Sequence, residues 1–126
     1  MREHSRGAAE VVDEYLDAYN RFDLDRLAAL IDEDIVLVHH NRAIASRGRL
    51  ATLDRYRVTH TLLPDRRFTG PRVVTVVGDR VFVEHHFVGT FTADSADGRR
   101  GERLELDLLT VFRIAGDRIV EYDDYG

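Results

Sequence analysis

Arg80-Val-Phe-Val-Glu-His-His-Phe-Val-Gly-Thr-Phe-Thr92 is a run of β-branched and aromatic residues with no helical period, and it is too long for a loop. Alternation along a strand puts Val81, Val83, His85, Phe87, Gly89 and Phe91 on one face, and Phe82, Glu84, His86, Val88 and Thr90 on the other. Both faces are largely apolar, so the strand belongs near the middle of a sheet. It carries two histidines side by side that point in opposite directions.

Outward from this strand the chain alternates between turns and further strands. Gly78-Asp79 is a two-residue hairpin turn that leads back to a strand at Val73–Val77, which Gly70-Pro71 holds off on its N-terminal side. The polar segment Ala93–Glu102 reads as a solvated hairpin end. Arg103–Ile114 then alternates cleanly, with Leu104, Leu106, Leu108, Thr110, Phe112 and Ile114 against Glu105, Asp107, Leu109, Val111 and Arg113. Ala115-Gly-Asp117 turns the chain into a last strand, Arg118–Gly126, with Val120, Tyr122 and Asp124 on one side.

The N-terminal half is helical. Ala8, Val12, Tyr15, Leu16 and Tyr19 form one stripe of a first helix over Ala8–Asn20, with Ser5 as N-cap. Asp23 caps a short second helix that buries Leu24, Leu27, Ala28, Leu30 and Ile31, and Asp32-Glu-Asp34 ends it as a polar turn. Ile35–His40 is a strand whose inner face, Ile35, Leu37 and His39, continues to Asn41. A loop through Gly48 leads to a third helix that begins near Ser46 or Thr52. Its apolar face is Leu50, Leu53, Tyr56, His60 and Leu63, and Pro64 stops it. The order is therefore α-α-β-α-β-β-β-β. That order implies an α+β fold with helices on one face of a curved sheet. The other face, with Phe82, Val88, Leu109 and Val111, then needs cover, which a homodimer through the sheet would supply.

Composition narrows the function. The 126 residues suit one domain spanning 1–126, and 44% hydrophobic with 33% charged residues is ordinary for a globular chain. No apolar run approaches the ~20 residues of a membrane span, and Met1–Gly7 lacks the apolar core of a signal peptide, so a cytoplasmic protein is expected. The absence of cysteine removes thiolate chemistry. All eighteen basic residues are arginine, which removes Schiff-base lysines as well. A net charge of −5 without a basic stripe argues against nucleic acid.

Val12-Asp-Glu-Tyr-Leu-Asp-Ala-Tyr-Asn-Arg-Phe-Asp-Leu-Asp-Arg-Leu27, Asp34-Ile-Val-Leu-Val-His39, Gly78-Asp-Arg-Val81 and Gly116-Asp-Arg-Ile-Val-Glu-Tyr-Asp-Asp-Tyr125, in this order and spacing, resemble the nuclear-transport-factor-two-like superfamily in its SnoaL-like polyketide cyclase branch. The resemblance covers nearly the whole chain. It implies a cone-shaped α+β barrel, with three helices packed on a strongly curved mixed sheet around a deep apolar pocket. Tyr15 falls where ketosteroid isomerases of this superfamily keep an oxyanion-stabilising tyrosine, and His39 where they keep an aspartate base. Thr110 replaces their second, protonated aspartate. Asp124 matches an aspartate of the limonene epoxide hydrolases, and His39 their water-positioning asparagine. Their Arg-x-Asp, however, is His85-His86-Phe87 here. Both departures turn the resemblance toward SnoaL-like cyclases and dehydratases, which rely on His and Asp.

By alternation His39, His85 and Asp124 point to the helix-covered face. A carboxylate-held histidine is a general base for a proton next to a carbonyl, and a tyrosine hydroxyl such as that of Tyr15 can donate to the enolate oxygen. The expected catalytic set is therefore His39, Asp124, Tyr15 and His85, with Tyr19, Asn41, Tyr56, Phe87, Thr110 and Tyr122 around an apolar, oxygenated substrate. Aldol cyclisation, isomerisation or dehydration would each need these roles and neither metal nor organic cofactor. No His-x-His or His-x-x-x-His spacing pairs two of the six histidines on one face. His40 and His86 should face away from the pocket. A non-catalytic ligand-binding or dimerisation module of the same fold is the alternative.

Overall fold

The computed structural model describes residues 7–126. The chain runs α1 (Ala8–Asn20), α2 (Leu24–Leu30), β1 (Ile31–His39), a one-turn 3-10 helix (His40–Arg42), β2 (Ile44–Arg47), α3 (Arg49–Leu62), β3 (Arg67–Val77), β4 (Arg80–Thr90), β5 (Arg103–Ala115) and β6 (Arg118–Tyr125). Six strands make one mixed sheet in the order β2-β1-β6-β5-β4-β3. It is curved and not closed, with the three helices on its concave side.

The alternation of β4 is realised residue by residue. Val81, Val83, His85, Phe87 and Gly89 are buried, and their neighbours are exposed or half-buried. β4 pairs antiparallel with β5 from Arg80↔Arg113 to Thr90↔Arg103, which brings Phe112, Thr110 and Leu108 beside Val81, Val83 and His85. α1 lies across this face. Val11, Val12, Tyr15, Leu16, Ala18 and Tyr19 enter the core, and Tyr15 meets Phe112 edge-on at 5.5 Å. Gly89 admits the C-terminal end of α3, because a Cβ there would sit 3.2 Å from the Leu63 side chain. The sheet and the third helix can close on each other only where β4 has no side chain.

β1 departs from the meander. It inserts parallel to β6, with Leu37↔Tyr122 and His39↔Asp124 in register, although the whole α3-to-β5 segment separates them in sequence. The covering of the concave face depends on this long-range pair.

Several expectations change. Asp32-Glu-Asp34 is not a turn, since β1 already begins at Ile31, which pairs with Ile119 before the register shifts toward Val36. The expected loop before α3 contains β2, a short edge strand antiparallel to β1. β3 starts at Arg67, six residues before Val73, and the shift in its pairing with β4 falls between Thr69 and Val73, where Gly70-Pro71 sits. A bulge between Arg113 and Ile114 turns Ile119 inward in place of Val120. Leu50 is 79% exposed and does not join the inner face of α3. Gly7 occupies the N-cap of α1, its N–H donating to Glu10 at 3.2 Å; Ser5 lies outside the described residues.

Phe112 is fully buried between Tyr15 and Tyr122. Phe112→Ala is expected to cost about 3–5 kcal/mol in urea unfolding, whereas Val76→Ala on the exposed end of β3 should change stability by less than about 0.5 kcal/mol.

Candidate active site

Between α1, α3 and the concave sheet lies a cavity of about 70 Å³, open to solvent on one side. Leu37, Leu63, Phe68, Phe87 and Leu108 form its apolar wall. Tyr19, Tyr56, Tyr122, Thr59, His39, Asp124, Arg42 and Arg55 supply its polar groups.

The parallel register of β1 and β6 sets His39 directly beside Asp124, and their side chains meet at 2.6 Å, Nδ1 to Oδ2. The His39 side chain keeps 20% of its surface exposed, against 8% for Asp124. The Tyr122 hydroxyl, two residues earlier on the same face of β6, donates to the same Oδ2 at 3.1 Å. An ionised Asp124 fixes the imidazole tautomer with its hydrogen on Nδ1, which leaves the Nε2 lone pair free. Nε2 makes no hydrogen bond among the described residues. Burial, and then the adjacent Asp124 charge, push the Tyr122 phenol well above its usual range. It therefore stays a neutral donor near neutral pH.

The other tyrosines form a connected cluster. The hydroxyls of Tyr15 and Tyr56 share a hydrogen bond of 2.7 Å, and Tyr19 packs edge-on against Tyr56 at 5.5 Å. Burial raises Tyr15 and Tyr56, and it raises Tyr19 to about 12 against the opposing pull of Arg66 and Arg42. Behind Tyr19 the Arg66 guanidinium is buried. It lies over the Tyr19 ring, donates to the Tyr19 carbonyl at 2.8 Å and donates to His60 Nδ1 at 2.9 Å. His60 in turn stacks on Phe22.

The predicted residues therefore divide. His39, Asp124, Tyr19, Tyr56, Phe87 and Tyr122 line the cavity. Tyr15, His85 and Thr110 lie on the same concave side, one layer behind it. Tyr15 reaches Tyr56 only. His85 is stacked on Phe68 at 4.8 Å and hydrogen-bonded through Nε2 to Thr110 Oγ1 at 2.9 Å. Its Nδ1 is buried without a partner, and desolvation, followed by the nearby Arg72 charge, lowers its pKa to about 4. Asn41 is exposed, with its amide donating to the Gly126 carbonyl at 3.2 Å. On the convex face, His40 Nε2 meets Asp123 at 2.7 Å and stacks on Tyr125, while His86 meets Asp107 at 2.6 Å.

Sequence reasoning missed Arg42, Arg55, Thr59 and Phe68 as pocket residues. Arg55, Thr59 and Leu63, and Tyr56 with Thr59, follow helical spacing, so Tyr56 could have indicated Thr59 and, through it, Arg55. Arg42 could not be found this way, because it sits in a one-turn 3-10 helix, His40–Arg42, where the sequence reads as loop. Phe68 was hidden by the late start assigned to β3.

Neutral His85 carries a pH signature. Unfolded, it titrates near 6.5; folded, near 4. The unfolded chain thus binds the extra proton between these values, and stability falls as pH drops through 6.5 toward 4. From pH 7 to 5, wild type should lose about 2 kcal/mol more than His85→Leu in urea titrations. Parallel pH profiles would mean that the folded protein protonates His85 readily.

Among the described residues no helix is long and apolar enough to cross a membrane. No curated protein matches the chain in sequence. Solved structures share its fold at low identity. A proposed polyketide cyclase of Xanthomonas campestris pv. campestris superposes with a TM-score of 0.82 at 24% identity, covering 94% of this chain and 89% of that one. A Catenulispora acidiphila protein of ketosteroid isomerase-like fold, solved with trimethylamine, gives 0.79 at 20% identity, covering 93% and 85%. An LEH-like epoxide hydrolase of M. tuberculosis gives 0.75 at 20% identity, covering 94% and 80%. The SnoaL-like domain family matches residues 12–122, nearly the whole of the α1-to-β6 arrangement that builds the cavity, and the chain belongs to that family.

Proposed function

We propose that the protein is a cofactor-independent enzyme that moves a proton next to a carbonyl in a small, largely apolar substrate, as in aldol cyclisation, isomerisation or dehydration. The observation that carries this reading is the His39–Asp124 pair, held by Tyr122 at the wall of a cavity that is apolar on its far side. Nε2 of His39 takes the proton, Asp124 stabilises the imidazolium that forms, and the oxygen of the developing enolate accepts from a neutral tyrosine hydroxyl. Tyr19 suits that last role best, because it lines the cavity and its hydroxyl, unlike those of Tyr56 and Tyr122, is not tied to Tyr15 or Asp124. Tyr15 acts through Tyr56, fixing where the Tyr56 hydroxyl points. His85, neutral and tied to Thr110, positions the wall behind Phe68.

Solvent deuterium exchange at the α-carbon of small cyclic ketones, followed by NMR, tests the reading. His39→Gln should slow exchange by at least about 10²-fold, and Asp124→Asn by a similar factor, while both variants keep the wild-type circular dichroism spectrum. The small free volume of the cavity favours one alternative, a non-catalytic ligand-binding module. Ketones that bind without exchanging would establish it.

The half-buried Phe82, Val88, Leu109 and Val111 on the convex face support pairing with a second copy through the sheet. Wild type should sediment as a dimer and Phe82→Arg as a monomer; a monomeric wild type would refute the pairing.

A further inference from the structure

Among the described residues the arginines are engaged or, as with Arg47, Arg67, Arg99, Arg100 and Arg118, exposed, with two exceptions. Arg113 bridges Asp79 and Glu121, Arg72 meets Asp13, Arg57 meets Asp54, and Arg26 meets Glu14. The arginines drawn into the fold donate to backbone or ring acceptors: Arg49 to the Ile31 carbonyl, and Arg66 to His60 and the Tyr19 carbonyl. Arg42 and Arg55 differ. Both are half-buried, both line the cavity, and neither has an ion pair or hydrogen bond among the described residues. They come from different elements, the one-turn helix after β1 and the exposed-side turn of α3, so no single local motif explains their convergence. The carboxylate of the cavity does not serve them, because His39 and Tyr122 occupy Asp124.

Two unpaired guanidiniums against one engaged carboxylate give the cavity a positive field. At the Tyr19 hydroxyl Arg66 and then Arg42 oppose the effect of burial, while Asp124 adds to it. A guanidinium presents a planar fork of donors that matches a carboxylate, and Thr59, one helical turn beyond Arg55, adds a neutral hydroxyl to the same lining. Opposite them the wall is hydrocarbon: Leu37, Phe87 and Leu108. The free volume of about 70 Å³ equals that of roughly five waters at ~10–15 Å³ each, so what enters is a single ring or a short branched chain, not a fused polycycle.

Resting on the acid–base reading above, we propose that the substrate is a small carboxylic acid, its carboxylate held by Arg42 and Arg55 on the solvent side of the cavity and its apolar, carbonyl-bearing part directed inward past His39. The ionised end supplies the anchor and the hydrocarbon end the desolvation, which suits a cavity with one charged side and one apolar side.

The probes are 3-oxocyclohexanecarboxylate and its methyl ester, titrated by calorimetry at neutral pH into wild type, Arg42→Gln, Arg55→Gln and the double variant. Solvent deuterium exchange of each probe is followed in parallel. Wild type should bind the acid roughly tenfold more tightly than the ester, each single variant should narrow that ratio, and the double variant should erase it while binding the ester as wild type does. Added salt should weaken acid binding and leave the ester unchanged. An ester that binds as well as the acid, a preference that survives the double variant, or no binding of either at millimolar concentration would each overturn the proposal. A clear acid preference without exchange would uphold the anion site and remove the acid–base reading instead. Exchange of both probes without preference would leave the acid–base reading and remove this one.

Discussion

The parallel insertion of β1 beside β6 is the constraint on which the cavity depends. The other strands from β3 to β6 form a meander that chain neighbours can assemble locally. β1 alone must find a partner from the opposite end of the sequence, and in doing so it closes the concave side over α1 and α3. Leu37 beside Tyr122 continues the core, and one step of two residues further along, His39 beside Asp124 begins the polar site. Core and chemistry share a single register, and a slip of one residue would exchange both faces together.

Burial sorts the polar groups of the cavity into two kinds. The tyrosines are held neutral by desolvation, and so is His85, which remains uncharged down to about pH 4. These groups can donate or accept hydrogen bonds but do not exchange protons near neutrality. His39 differs by position: it is partly solvated, with a carboxylate on one nitrogen and open cavity on the other. Fixed neutral donors beside one carboxylate-held imidazole are the parts that the proposed proton transfer needs.

Much of this was legible from alternation alone. The period of two along Val81–Phe91 and Leu104–Ile114 identified the inward face correctly, including His85 and Thr110, because a strand buried on one side leaves no other register. The position of Asp124 was also readable, but for a fortuitous reason. The bulge at Arg113–Ile114 moves Ile119 inward, yet the tract after it resumes the expected parity, so Tyr122 and Asp124 still face the cavity. Hidden from the sequence were β2, which pairs with the edge that β1 offers, and the one-turn 3-10 helix that carries Arg42 to the cavity. Which inward residues reach the cavity and which stop one layer behind it was likewise unreadable. Tyr15 and His85 share the face of Tyr19 and Asp124, and only packing depth separates them.

Next to His39 and Asp124 in the chain stands a second pair, His40 at the start of the one-turn helix and Asp123 on β6. His40 and Asp123 face outward from the same backbone, 2.7 Å apart, with Tyr125 stacked on the imidazole. The molecule thereby carries its own reference compound. Inner and outer pairs share partner type and ionic strength, and their aspartates share β6, but one opens on the cavity and the other on water. They also differ in which nitrogen is tied down, Nδ1 inside and Nε2 outside. The inner ring thus leaves free the nitrogen farther from its own backbone. Any difference between the two histidines in one sample compares an imidazole and carboxylate enclosed beside a cavity with the same two groups open to water.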